Sequence, residues 1–401
     1  MNVGTTGAQQ GLFLDSWHFF AFVALAVLVI ALTRGKNLRT WALVPLNLYF
    51  LAFFIGSFWS AIILAGLICM TYATAQLRLR YPDQLPIWCF VAFIFFLWAF
   101  LFLVKDPNLF APYNPFFHAP VAIIGISYLT FRAIHYVVDV EVIEDRRFLP
   151  FLNYMVFFPT LIAGPIERYD RYAADQDQAQ PVDAAIAIGA LHRIANGFIK
   201  KFVLADNLAA LGIFQNSGYD NLAIPLLWLA VLIQLFIIYL DFSGYSDIVI
   251  AIARLMGFRV MENFDHPFAA TSIQDFWNRW HISLTSFIRD YVFTPIARTM
   301  LVRSSRNWHF TGFAVAYFVS MLVIALWHGT TSGFLMFGVV QGAALVGVQL
   351  WRRRLGESTH NGRLAKALYS ASIYVFMTTT VALWYFGPVS TLRILKRMVG
   401  F

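Results

Sequence analysis

The sequence predicts an all-α, polytopic membrane protein, and three observations carry that reading. Of its 401 residues, 60% are hydrophobic and only 12% are charged, where a soluble chain of this length carries about twice that charge. Apolar runs long enough to cross roughly 30 Å of hydrocarbon recur along the chain. The runs are continuous rather than alternating, which argues against barrel strands and for helices, the other structure that satisfies its whole backbone in lipid.

Candidate spans lie near residues 17–33, 41–56, 57–76, 86–104, 119–138, 149–166, 184–204, 222–240, 241–258, 310–328, 332–351 and 367–387, about eleven or twelve crossings. The first lacks a basic segment before it, so it reads as a retained span rather than a signal peptide, with its N-terminus outside and Arg34–Arg39 inside. Trp41–Ala73 is too long for one crossing and is expected to break near Gly56-Ser57. The run 222–258 is also too long, and Asp241-Phe-Ser-Gly244 is expected to interrupt it. Polar, acidic Glu167–Asp183 reads as a loop, and Lys200 and Lys201 as interfacial anchors. No fixed-period repeat appears, so the chain reads as one integral-membrane domain, 1–401.

The net charge of +8 and the pI near 9.5 do not point to nucleic acid. The basic residues sit in short clusters between apolar runs, as at Arg352–Arg354, which is how cytoplasmic loops are marked. Cys69 and Cys89 lie in apolar runs without metal or redox spacing and read as small hydrophobes.

Polar groups concentrate in "FWNRWHISLTSFIRDY", Phe276 to Tyr291. Trp277, His281, Leu284 and Ile288 follow i, i+4, i+7, i+11 spacing and form one stripe if the segment is a single helix. Trp280, Phe287 and Tyr291 make an adjoining stripe, with Asn278, Arg279, Ser286, Arg289 and Asp290 around the other side. Such a helix suits the membrane interface or a re-entrant position shielded by protein. Its histidine points with the apolar stripe, where burial disfavours the charged form and leaves a neutral base or hydrogen-bond partner.

Taken alone, a histidine on an amphipathic helix is more often structural than functional. The second Trp-His pair, in "ALWHGTTSG" from Ala325 to Gly333, shifts that balance, because histidine at the edge of a membrane span is costly. Gly329 and Gly333 allow a turn or a close backbone approach there. Arg132, His135 and Asp139, at i, i+3, i+7, read as a structural network, and Asp241, Tyr245 and Asp247 as a network or helix break. His18, His118, His192, His266, His309 and His360 fall at span edges or in loops. There is no HExxH, phosphate-binding loop, dinucleotide fingerprint or nucleophile elbow. A metal held by His281 and His328 lacks a third ligand at helical spacing, so none is expected.

Six stretches carry a family resemblance: "GISYLTFRAIHYVVD" (125–139), "FFPTLIAGPIERYDRY" (157–172), "GFIKKFVLADN" (197–207), "YLDFSGYSDIVIAIARLMGF" (239–258), "ENFDHPFAATSIQDFWNRWHISLTSFIRDYVF" (262–293) and "LWHG" (326–329). In these blocks the chain resembles the membrane-bound O-acyltransferase (MBOAT) family, in its bacterial DltB/AlgI branch. The resemblance covers about residues 120–345, the expected catalytic core. It implies a ring of spans around a tunnel linking a cytoplasmic donor to an extracytoplasmic acceptor in the bacterial cytoplasmic membrane. "GISYLTFRA", "FWNRWH", "RDYVF" and the short tail resemble the D-alanyl transfer proteins, and "TPIARTM" stands where the polysaccharide O-acetylases carry a Gly-Gly-Asn-Arg stretch.

The family's two characteristic histidines fall on His281 and His328. The roles expected are His328 as general base and His281 as orienting group or oxyanion donor, with the reverse assignment open. Trp277, Asn278, Trp280, Ser283, Arg289, Asp290 and Trp327 are expected along the substrate tunnel, and Ser283 makes a poor nucleophile candidate. Arg298, Arg303 and Arg306 are expected to form a basic patch that docks an acidic acyl carrier protein. No tightly bound cofactor is implied. The donor is a phosphopantetheine thioester on a carrier protein, or acyl-CoA, and the acceptor is an envelope polymer, with an extracytoplasmic acyltransferase as a further partner. A transporter or flippase and a catalytically silent scaffold stand as the alternatives.

Overall fold

A computed structural model of the chain describes residues 16–33, 35–55, 57–84, 86–105, 125–211, 222–303, 309–355 and 362–400. Among these residues the regular secondary structure is helical, with no strand beyond a single isolated bridge between Phe264 and Trp280. Six helices among the described residues are long and apolar enough to cross a membrane, and two more, Trp17–Leu32 and Phe148–Thr160, are apolar but shorter. The chain is an all-α, multi-pass membrane protein. It divides into two compact units, Met1–Ala195 with Asp247–Val260, and Asn196–Ser246 with Met261–Phe401.

The first unit contains α1 (Trp17–Leu32), α2 (Lys36–Ala52), α3 (Phe58–Arg80), α4 (Ile87–Lys105), α5 (Ile126–Asp139), α6 (Phe148–Met155) and α7 (Tyr169–Asp177). The long run from Trp41 divides as its sequence suggests: α2 ends at Ala52, and Ser57 caps α3 by accepting the Ser60 N–H at 3.1 Å. The segment expected to be a loop, Glu167–Asp183, instead contains α7. Its polarity misleads because the polar groups are used inward. Asp175 is 1% exposed and pairs with Arg259 at 2.9 Å, while Tyr169 and Tyr172 are buried beside Tyr154. Arg39, in a cluster read as a loop marker, is likewise buried and donates to the Met256 carbonyl at 2.7 Å.

Arg132 and His135 form the network their spacing suggests. The Arg132 guanidinium donates to the carbonyls of Tyr154 and Met155, at 2.7 and 2.9 Å, and to Thr160 Oγ1 at 2.6 Å. His135 accepts the Tyr169 N–H at Nε2, 2.8 Å away, and its Nδ1 lies 3.0 Å from Asp139. A ring bonded on both sides is a satisfied core histidine.

The chain continues through α8 (Ala184–Phe198), a π-helical turn over Ile199–Ala205, α9 (Asp206–Ala210) and α10 (Ile224–Leu255). The interruption expected at Asp241–Gly244 does not occur, and α10 is continuous over 32 residues. Gly244 is there for packing: a Cβ would lie 2.7 Å from the Gly197 carbonyl oxygen and 2.8 Å from the Lys201 nitrogen. Asp241 is tolerated because Lys201 lies 2.6 Å from it and 2.6 Å from Asp206. Lys201 is therefore the centre of an ion triad rather than an interfacial anchor.

The second unit continues through α11 (Ile273–Arg279), α12 (Ile282–Ile288), a π-helical turn over Arg289–Phe293, α13 (Thr294–Arg303), α14 (His309–His328), α15 (Ser332–Leu355) and α16 (Arg363–Met398). A short link makes α14 and α15 a hairpin, and α15 packs in turn on α16. The 36-residue α16 kinks at Gly387, whose φ of 69° is followed by Pro388. Leu227, Val231, Ile394 and Met398 pack a core between α10 and the end of α16.

Gly333 is the tightest point of the hairpin's packing, since a Cβ there would lie 2.1 Å from the Leu383 carbonyl oxygen. Gly333→Ala should cost about 1–3 kcal/mol through overpacking against a backbone atom that cannot give way. Gly347, in the same helix, has nothing within 4 Å of its notional Cβ, and Gly347→Ala should gain about 0.4–1 kcal/mol. Thermal unfolding of the two variants in detergent should therefore move in opposite directions.

Candidate active site

The polar stretch from Phe276 to Tyr291 is not one helix. α11 and α12 are seven residues each, and between them Trp280 is extended and His281 takes the left-handed conformation, φ 46° and ψ 52°. The single stripe expected through Trp277, His281, Leu284 and Ile288 is therefore broken at the histidine. A non-glycine residue in this region costs about 1–3 kcal/mol and persists where its surroundings over-determine it. Here the His281 carbonyl accepts the Thr285 N–H at 2.9 Å, and the Ile282 N–H goes to the Asn263 carbonyl at 3.0 Å. On the other side, the Trp280 N–H closes α11 on the Phe276 carbonyl at 2.8 Å.

The break turns the His281 imidazole into a pocket of rings. It is 4% exposed, with the Phe242 ring 4.7 Å away and the Trp327 indole 6.0 Å away, centre to centre. Among the described residues neither ring nitrogen has a hydrogen-bond partner. Burial pushes its pKa down to about 3, opposed only by its own main chain, so the ring is neutral at any ordinary pH. A neutral imidazole with that pKa is a weak base but still offers an uncharged N–H donor and a lone pair. A buried polar side chain left unsatisfied costs about 1–3 kcal/mol, which a ligand would recover.

His328 ends α14. Its ring lies 4.6 Å from Trp327, 4.5 Å from Trp384 of α16 and 5.9 Å from Phe334, nearly parallel to the last at 10°. Gly329 permits this, because a Cβ there would meet the Phe334 ring at 2.6 Å. One indole, that of Trp327, is thus in ring contact with both imidazoles.

The other expected tunnel residues divide. Trp277, Asn278 and Arg289 line a cavity of about 140 Å³ closed by Tyr317, Ser320 and Ile324 of α14. Ile324 is one helical turn before His328. The Ser320 hydroxyl in this cavity is buried and has no partner among the described residues. Trp277 also donates Nε1 to Gln341 at 3.2 Å, and the fully buried Gln341 amide donates on to Thr380 at 2.9 Å. Trp280 stacks on Phe276 at 5.3 Å, and Ser283 donates to Asn263 Oδ1 at 2.6 Å; neither lines this cavity. Asp290 is exposed and sits 3.0 Å from Arg289.

Arg298 is exposed on α13, while the Arg303 side chain and Arg306 lie outside the described residues, as do His118 and His360. Among the described residues no group of three or more His, Cys, Asp or Glu side chains is placed to hold a metal. Sequence reasoning missed Phe242, Asn263, Phe334, Gln341 and Trp384. Asn263 and Phe242 fall inside quoted motifs, but nothing in "TVALWYFGP" marked Trp384 except its place before Gly387-Pro388.

Comparison with known proteins agrees with the six motif blocks. A family model described as MBOAT, membrane-bound O-acyltransferase family, matches residues 77–387, more than the stretch expected from the motifs. A Streptococcus thermophilus protein named teichoic acid D-alanyltransferase is 32% identical over 291 residues, 64% of this chain and 65% of its own length. A Pseudomonas aeruginosa protein named probable alginate O-acetylase AlgI is 35% identical over 228 residues, 55% of this chain and 41% of its own length. A Bacillus subtilis teichoic acid D-alanyltransferase is 30% identical over 251 residues, 61% of each. The matches thus span less than two thirds of these relatives' lengths.

The depressed pKa of His281 has a consequence for stability. The unfolded chain binds a proton on this imidazole below about 6.5 and the folded chain only below about 3, so unfolding takes up a proton between those values. The histidine's influence therefore leaves stability undiminished above about pH 6.5 and erodes it as pH falls toward 3. Thermal melts in detergent at about pH 7 and about pH 4.5 should show a smaller acid-induced loss for His281→Gln than for the wild type.

Proposed function

The chain belongs to the membrane-bound O-acyltransferase family, and on that premise we propose that it moves a short acyl group from a cytoplasmic thioester to a hydroxyl of an extracytoplasmic envelope polymer. One observation carries the reading: a single indole touches two imidazoles, and the more buried of them keeps both nitrogens unsatisfied. Teichoic acid and alginate, in the names of the relatives, support a polymer acceptor. D-alanyl is the favoured group, because the matches cover 65% and 61% of the D-alanyltransferases against 41% of the P. aeruginosa O-acetylase. Acetyl is the second reading, supported by the 35% identity to that O-acetylase.

In the proposed reaction the acceptor hydroxyl attacks the thioester carbonyl. His328 takes the hydroxyl proton, a contribution typically worth about a hundred- to ten-thousandfold. The neutral His281 donates its N–H to the developing oxyanion, where a water-poor setting strengthens the bond. As the C–S bond breaks, the thiolate leaves and takes the proton back from His328, and the ester remains on the polymer. The amide-bearing donor arm lies in the 140 Å³ cavity, where Asn278, Gln274 and the unpartnered Ser320 hydroxyl offer it hydrogen bonds. The donor is a carrier-bound phosphopantetheine or acyl-CoA, and the setting is the bacterial cytoplasmic membrane. The acidic carrier docks on the patch that begins at exposed Arg298 and continues in sequence through Arg303 and Arg306, and an extracytoplasmic acyltransferase acts on the far side.

Mild alkali releases D-alanine or acetate from modified envelopes, so a deletion strain carrying each variant gives a direct readout. His328→Ala and His281→Ala should each reduce the released ester to the level of the deletion strain while the protein still accumulates in the membrane, and Ser320→Phe, which fills the cavity, should do the same. Wild-type ester from His328→Ala would overturn the reading. Replacing Arg298, Arg303 and Arg306 together by glutamate should weaken binding of the acidic carrier; unchanged binding would remove that docking site.

A further inference from the structure

The strained turn at His281 is held by a segment distant in sequence, and one residue of that segment does most of the holding. Asn263 is fully buried. Its carbonyl takes the Ile282 N–H at 3.0 Å, its Oδ1 accepts from the Ser283 hydroxyl at 2.6 Å, and its Nδ2 donates to Ser246 Oγ at 3.2 Å. The residues that follow extend the contact. Phe264 bridges to Trp280, and the Asp265 N–H donates to the Arg279 carbonyl at 3.0 Å. Asn263–Asp265 therefore runs along Arg279–Ser283, on both sides of His281.

The anchor of this brace fixes where the ring goes. Ser246 and Phe242 stand four residues apart on α10 and so share a face. Phe242 is the ring that backs His281 at 4.7 Å. By bonding Ser246, Asn263 ties the left-handed turn to the same helix face that supports the imidazole. His281 has no side-chain cap bond of its own at the start of α12, so Asn263 supplies from outside what a capping side chain would otherwise give. It does so without occupying either imidazole nitrogen, both of which stay unbonded.

From these contacts we infer that Asn263 is a positioning residue, holding the His281 imidazole between Phe242 and Trp327 with its nitrogens available to substrate. The inference rests on the role proposed for His281 in acyl transfer. Two readouts test it in the full-length protein: alkali-released ester per amount of membrane-inserted protein, and the rate of carbethoxylation of His281 by diethyl pyrocarbonate, located by mass spectrometry. Leu227→Ala, in the core cluster of α10 and α16, serves as a control for general loss of stability.

Asn263→Ala should lower ester by about a hundredfold, the scale on which a 1 Å misplacement of a reacting group acts. It should also speed modification of His281 and leave the His328 rate unchanged. Leu227→Ala should leave both readouts near wild type. Wild-type ester, or an unchanged His281 rate, in Asn263→Ala overturns the inference. Where Asn263→Ala fails to accumulate, Ser246→Ala and Ser283→Ala each remove one bond of the brace and should shift both readouts in the same direction by a smaller factor; two wild-type results there also overturn it. Failure of the proposed function is separate, because it appears as an active His281→Ala.

Discussion

The left-handed turn at His281 is the constraint on which the site depends. It separates two seven-residue helices that would otherwise merge, and it aims a neutral imidazole into a wall of aromatic rings instead of along a helix face. Its cost in backbone strain is met by bonds drawn from three parts of the chain: α10 through Ser246, the segment at Asn263, and the first turn of α12. Trp327 closes the arrangement from a fourth. A site assembled this way is rigid because no single element can move without breaking a bond to another.

The dry, aromatic setting also decides the electrostatics. Histidine in water is half-charged near pH 6.5, whereas burial among rings disfavours the charged form of His281, opposed only by its own main chain. His328, at the end of α14 and beside Trp384, has a different environment and less burial. Two imidazoles with unequal surroundings meet the physical requirement of the proposed division of roles, in which one accepts a proton and the other donates a hydrogen bond without carrying charge.

Much of this was legible in the sequence. Helical spans followed from continuous apolar runs, the division between α2 and α3 from a run too long for one crossing, and the family from six recognisable blocks that include two Trp-His dipeptides. What escaped reading were positions where polar or small residues serve packing. Asp241 and Gly244 look like a helix break, yet a lysine on a π-helical turn neutralises the first and a carbonyl fills the space beside the second. Asp175 and its neighbours look like a loop because composition does not say that Arg259, some eighty residues on, buries the charge. The turn at His281 was hidden for a related reason: periodicity extends a stripe across a residue whose φ is set by Asn263 and Ser246, far away in sequence.

The order of the chain gives the long-range brace a temporal side. Ser246, Asn263 and His281 leave the ribosome before Trp327, His328 and Trp384, and at about 5–20 residues per second the interval lasts seconds. Throughout it the α11–α12 segment has its amide and hydroxyl groups but lacks the α14–α16 wall that later excludes lipid and water from them. The polar groups of α11 and α12 therefore gain their full protein surroundings only once α14–α16 have been made.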